Sequence, residues 1–164
     1  MDSGRLVVDR KSRTANLYAV GPFALAGIAC VVPYLLAHAP QIGFALQRAF
    51  ALVCHQQPER SFMLFGGTIA VCARCLGIYL GAALGLLVRV SRRVTMRFLL
   101  VAVAVNAADS FAEIAGAHDN WMVVRFVLGI VLGTAAAMLV AASSEKPSAP
   151  TSNFGRTVAT TSLQ

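Results

Sequence analysis

The chain has 164 residues, of which 57% are hydrophobic and only 13% charged, with a formal net charge of +7. Soluble domains run nearer ~45–50% apolar and ~25% charged, so a water-soluble domain is excluded for want of charge to coat its surface. The cations lie in short segments flanking long apolar runs rather than along a polar stripe, which excludes a nucleic-acid-binding surface and reads as a membrane-orientation signal.

In chain order, a polar N-terminal tail (residues 1–15) carries Arg5, Arg10, Lys11 and Arg13. It leads into a first span over about 17–38, bent by Pro22 and Pro33. Basic residues, an apolar run and Ala37-His38-Ala39 also resemble a signal peptide, but about twenty apolar residues exceed the usual h-region of roughly 7–15, which favours a retained anchor. Gln41 to Val53 is apolar yet only 13 residues long. As a helix it would reach about 20 Å against a hydrocarbon core of about 30 Å, so it is expected to be re-entrant or to lie at the interface. Three further spans follow over about 70–90, 97–115 and 121–142, and residues 143–164 form a polar, disordered tail. Arg89, Arg92, Arg93 and Arg97 separate the second and third spans, and Lys146 and Arg156 follow the last. The expectation is an all-α, four-helix domain (16–142) in the cytoplasmic (inner) membrane, with both termini cytoplasmic and residues 38–70 and 116–120 facing outward.

Cys30 lies inside the first span, where a small apolar side chain needs no further explanation. Cys54, Cys72 and Cys75 instead converge on the outward segment and the start of the second span, with His55 beside the first. Three thiols cannot all pair, which argues against a purely structural disulfide. Cys54, His55, Cys72 and Cys75 make a Cys3His set whose C-x-x-C spacing lets two thiolates grip one ion, and zinc is the expected metal. Adjacent residues seldom both bind one ion, so the fourth position also stands open to His38, His118, a carboxylate or water. A redox reading competes. A C-x-x-C at a helix N-terminus, with Arg74 between its cysteines, favours a reactive thiolate, and Cys54 would be the exchanging partner. That topology is similar to the membrane disulfide-generating quinone reductases and vitamin K epoxide reductases, although those families usually bring a second cysteine pair that this chain lacks. Inert thiols with a packing role are the remaining alternative.

The string Cys54-His55-x-x-Pro58-x-Arg60-Ser61-Phe62, followed by Val71-Cys72-x-Arg74-Cys75-x-Gly77-x-Tyr79-x-Gly81, closely resembles a family of small bacterial and archaeal integral-membrane proteins catalogued as a domain of unknown function. With Asn106/Asp109 and Arg125/Gly129/Gly133 included, the resemblance covers about residues 50–135. It implies a membrane location and a shared Cys/His/Arg site, and brings no reaction, cofactor or partner.

Gly77, Gly81 and Gly85 form a small-residue stripe, as do Gly129 and Gly133. Either can pack helices within the chain or form a homo-oligomer seam in the bilayer. Cys72 and Cys75 point roughly 150° away from the first stripe. Asn106, Asp109 and Glu113 fall within about 60° on one face of the third span, a face that should look inward because an unpaired carboxylate in hydrocarbon is costly. The short turn from 116 to 120 brings Arg125 level with Glu113 and Asp109. That face reads as a structural ion pair, a proton route, a cation site or a headgroup pocket. One composite outer-face site is therefore expected, with Arg60, Arg74, Asp109, Glu113 and Arg125 as candidate functional groups around the cysteines. Its activity stays open among a metal-dependent membrane protein, a thiol-disulfide oxidoreductase and a non-catalytic transporter component or assembly factor.

Overall fold

Five helices and one short hairpin make up the computed structural model, which describes residues 3–88, 90–116 and 121–143. The helices are α1 (Ser3–His38), α2 (Pro40–Ala51), α3 (Ala73–Gly85), α4 (Arg92–Ile114) and α5 (Met122–Ser143). A 3-10 turn at Pro58–Arg60 precedes the antiparallel strands β1 (Met63–Leu64) and β2 (Gly67–Thr68). Helix α1 starts at Ser3, so helical backbone continues through the stretch expected as an N-terminal tail. Arg89, His118 and the C-terminal tail, which entered the expectations above, lie outside the described residues.

Among the described residues three segments are long and apolar enough to cross a membrane: Tyr18–His38, Arg92–Ile114 and Met122–Ser143. Their large side chains are widely exposed, as at Phe23, Leu100, Val101 and Val123, the pattern of helices whose solvent is lipid. The second expected span differs. Only Ala73–Gly85 is helical, 13 residues or about 20 Å, which by itself falls short of the hydrocarbon thickness. The residues before it are non-helical and buried, with Ile69, Ala70 and Val71 at 2%, 2% and 0% exposure and the chain bending at Ala70 and Val71.

Proline chemistry explains how non-helical backbone is tolerated there. Pro33 has no N–H, so the carbonyl four residues back in α1, that of Ala29, loses its intrahelical donor. The N–H of Ala70 donates to that same Ala29 oxygen at 3.2 Å. A proline defect in one helix thereby satisfies the backbone of its neighbour. A methyl added at Gly67 would sit 3.2 Å from Pro33 Cβ, so the chain rides closely along the kink.

The glycine stripes are used against each other. A methyl at Gly77 would overlap the backbone of Phe126 and Ile130, one at Gly81 that of Ile130, and one at Gly85 that of Thr134. From the other side, Gly129 faces Arg74 and Gly133 faces Ile78. Residue numbers rise together along this seam, so α3 and α5 run parallel, and Thr134 Oγ1 donates to the carbonyl of Gly81 at 3.1 Å. Helix α4 runs antiparallel to α5, since Asn106 Nδ2 donates to Leu128 O and Glu113 meets Arg125. The segment before α3 runs antiparallel to α1, with Ala70 at Ala29 and Gly67 at Pro33. A core of Ala26, Ala29, Val32, Phe50, Ile69, Val71 and Leu76 fills the space among α1, α2 and α3, and Cys54 is part of it.

Candidate metal centre

Two chain segments deliver the thiols. Cys54 follows the last turn of α2, its N–H bonded to Phe50 O at 2.9 Å. Cys72 occupies the N-cap position of α3 in extended conformation, and Cys75 lies one turn into that helix. The Sγ atoms of Cys54, Cys72 and Cys75 all lie within 4.8 Å of one another. Cys54 is buried, whereas Cys72 and Cys75 are half-buried. The Cys72 N–H donates to Cys54 Sγ at 3.2 Å, so the orphan amide of a helix start is aimed at sulfur. Hydrogen bonds from the Cys72 and Cys75 side chains hold the Cys54 thiol well below the ordinary thiol range. Burial pushes the other way, and backbone N–H groups of Cys72 and Gln56 make smaller contributions to the lowering.

All four cysteines, Cys30 included, are free thiols. Tetrahedral zinc with Zn–S near 2.3 Å spaces its sulfurs by about 3.8 Å, a contraction of at most about 1 Å from this arrangement. The donor set therefore fits a soft-ligand metal. His55 is exposed and lies outside the group, as does His38, whose ring stacks on Tyr34 with centroids 4.1 Å apart. Among the described residues the cluster is a three-sulfur set.

The expected polar surround assembles at the same end of the bundle. Arg74 sits between the two α3 cysteines but turns toward α4, where Nη2 meets Asp109 Oδ2 at 2.5 Å and Nη1 donates to Ser110 Oγ at 2.7 Å. Arg125, in the first turn of α5, pairs with Glu113 Oε2. Arg60, from the 3-10 turn, takes the other oxygen of Glu113 at 3.0 Å. Ser110 escaped the sequence reading, although its place four residues beyond Asn106 and one beyond Asp109 puts it beside the expected polar face. Ser61 of the motif is buried and donates to Gln57 O at 2.9 Å, and Phe62 stacks edge-on against Phe126 of α5 at 5.6 Å. The first contact closes the loop's own 3-10 turn and the second ties the loop to α5.

Two archaeal relatives are similar over this region. An uncharacterized protein of Methanocaldococcus jannaschii is 33% identical over 99 residues, 56% of this chain and 64% of its own length. An uncharacterized protein of Methanothermobacter thermautotrophicus is 35% identical over 95 residues, 55% of this chain and 86% of its own length. The chain thus spans a little under two thirds of the first relative. No solved structure matches. The family described as "Predicted membrane protein (DUF2085)" matches residues 54–139, from the first cysteine of the cluster to near the end of α5 and more than half of the chain, and the protein belongs to that family.

Proposed function

We propose that this multi-pass membrane protein crosses the cytoplasmic membrane four times and carries a zinc centre on Cys54, Cys72 and Cys75 at its extracytoplasmic end. The fourth crossing rests on length. Three buried non-helical residues, Ile69–Val71, precede the ~20 Å of α3 and carry the chain further toward the ~30 Å of hydrocarbon. The alternating directions of α1, α3, α4 and α5 suit the same count. Cations at both ends of the chain and between α3 and α4 favour cytoplasmic termini, which leaves the cysteine end outside.

The observation that carries the metal reading is the convergence of three thiols from two separate segments within 4.8 Å. Three thiolates leave one tetrahedral position. Filled by His55, the residue after Cys54, it would close a structural site; left to water or substrate, it would make the ion a Lewis acid. Elemental analysis of protein purified in mild detergent, with thiol counting, is the test. About one zinc per chain, lost in Cys72→Ser and Cys75→Ser, is the expected result, and zinc retention in His55→Ala separates the open site from the closed one.

The lowered Cys54 thiol favours one rival, thiol-disulfide exchange between Cys54 and the α3 pair. Metal-free protein holding a stable disulfide among these cysteines would establish that rival and remove the zinc reading. Metal held with neither turnover nor open coordination would direct attention to a transporter-component or assembly role.

A further inference from the structure

We infer that Arg60, Arg74 and Arg125 together form a binding site for a phosphate group. The three guanidinium groups come from three different elements, the 3-10 turn, α3 and α5, and gather around two neighbouring carboxylates of α4. Arg74 pairs with Asp109. Arg60 and Arg125 share Glu113, one on each oxygen. The five side chains carry three positive charges and two negative ones, and a guanidinium does not deprotonate to remove the surplus. Arg125 has only 5% of its side chain exposed, and the carboxylates only 9% and 15%. Three guanidinium groups crowded together at that burial repel one another at a cost that is high in a membrane protein, and an anion relieves it.

Hydrogen bonding points the same way, independently of the charge count. The Nε–H groups of Arg74 and Arg125 are both buried and have no acceptor among the described residues. Buried N–H groups without partners are rare, and on two neighbouring arginines they mark donors kept for something absent. Arg60, 38% exposed, is the arginine of the three most open to an approaching ligand. A phosphate suits the set better than a carboxylate because it presents several charged oxygens in three dimensions to forks arriving from three elements. The site stands whether or not the neighbouring thiols hold metal, since none of its groups is a sulfur.

The test measures binding to the full chain in phosphatidylcholine nanodiscs, with inorganic phosphate as one probe and added phosphatidylglycerol, retained through native mass spectrometry, as the other. Arg60→Gln removes the most exposed arginine with the least risk to folding, and Arg125→Lys keeps charge while removing the fork. Arg97→Gln, at the opposite end of α4, makes the same charge change away from the site. Arg60→Gln is expected to weaken binding about tenfold to a hundredfold, as loss of one charge-assisted contact does. Arg125→Lys should weaken it without lowering the unfolding temperature much, and Arg97→Gln should leave it unchanged. Binding of inorganic phosphate supports a free phosphate compound as ligand; retention of phosphatidylglycerol alone supports a lipid headgroup. Absence of both, or equal weakening by Arg60→Gln and Arg97→Gln, overturns the site.

Discussion

Glycine-to-alanine exchange along α3 tests the helix seam on which the site depends. In most helices such a change is mildly favourable, by about 0.5–1 kcal/mol, because alanine loses less backbone entropy. At Gly81 the added methyl would lie 2.9 Å from Ile130 Cα and closer still to the Ile130 carbonyl carbon and oxygen. All three are backbone atoms, so no side chain can turn aside. An ordinary contact needs about 3.4 Å or more, so α3 and α5 must part by at least about half an ångström, at the ~1–3 kcal/mol typical of overpacking. That separation also strains the Thr134-to-Gly81 hydrogen bond. The net expected loss is about 1–2 kcal/mol, read as a lower unfolding temperature in detergent. Gly27→Ala is the control, since its methyl would meet nothing within 4 Å, and it should be neutral or slightly stabilising. Gly77→Ala, one turn from the thiols, should in addition reduce metal retention, because it shifts the helix end that carries Cys72 and Cys75. If Gly81→Ala and Gly27→Ala prove equally stable, α3 and α5 do not approach as described.

Three other outcomes are expected. A reporter fused after Ser144 should behave as cytoplasmic and one inserted near Ala117 as extracytoplasmic; the opposite labelling would place the cysteines in a reducing compartment. Cys30→Ala should keep the metal content of the parent protein, whereas Cys54→Ser should lose most of it, as measured by elemental analysis. Arg125→Ala should lower stability by about 2–4 kcal/mol, and Arg60→Ala, whose side chain is partly exposed, by under about 1 kcal/mol. In double-variant cycles Arg125 should couple to Glu113 and Arg74 to Asp109, with Arg74 and Glu113 additive; coupling of Arg74 to Glu113 alone would break this assignment.

The long spans are legible because lipid demands uninterrupted apolar sequence, and α1, α4 and α5 obey that rule. The short α2 is legible for the complementary reason: Gln41 to Val53 is apolar but cannot cross. The start of α3 is not. Ile69, Ala70 and Val71 are as apolar as any helical residue, and nothing in hydropathy says they lie outside the helix. The cause is a tertiary bond to a carbonyl freed by a proline some forty residues earlier, a relation no local pattern contains. The hairpin escaped similarly. Gly66-Gly67 reads as a turn, but strands of two residues leave no alternation to find, and Phe65 takes a left-handed φ of 51° that composition would assign to glycine or asparagine.

The candidate site divides along the same line. Cys54, Cys72 and Cys75 announce themselves by spacing, and the level of Glu113 with Arg125 follows from a short turn between antiparallel helices. The role of Arg74 did not follow. Its place between two cysteines suggested a cation lowering a thiol pKa, yet its guanidinium reaches away to Asp109 and Ser110, and the Cys54 thiol is lowered by its sulfur neighbours and by the amides of Cys72 and Gln56. One residue thus joins two sites through its backbone and its side chain. The first turn of α3 fixes the spacing of Cys72 and Cys75, while the Arg74 fork anchors that turn to α4. Displacing Arg74 from Asp109, by an anion or by substitution, would release the turn that presents both sulfurs. The thiol cluster and the arginine site are therefore mechanically linked through α3, and occupancy of one should be felt as a change in the other.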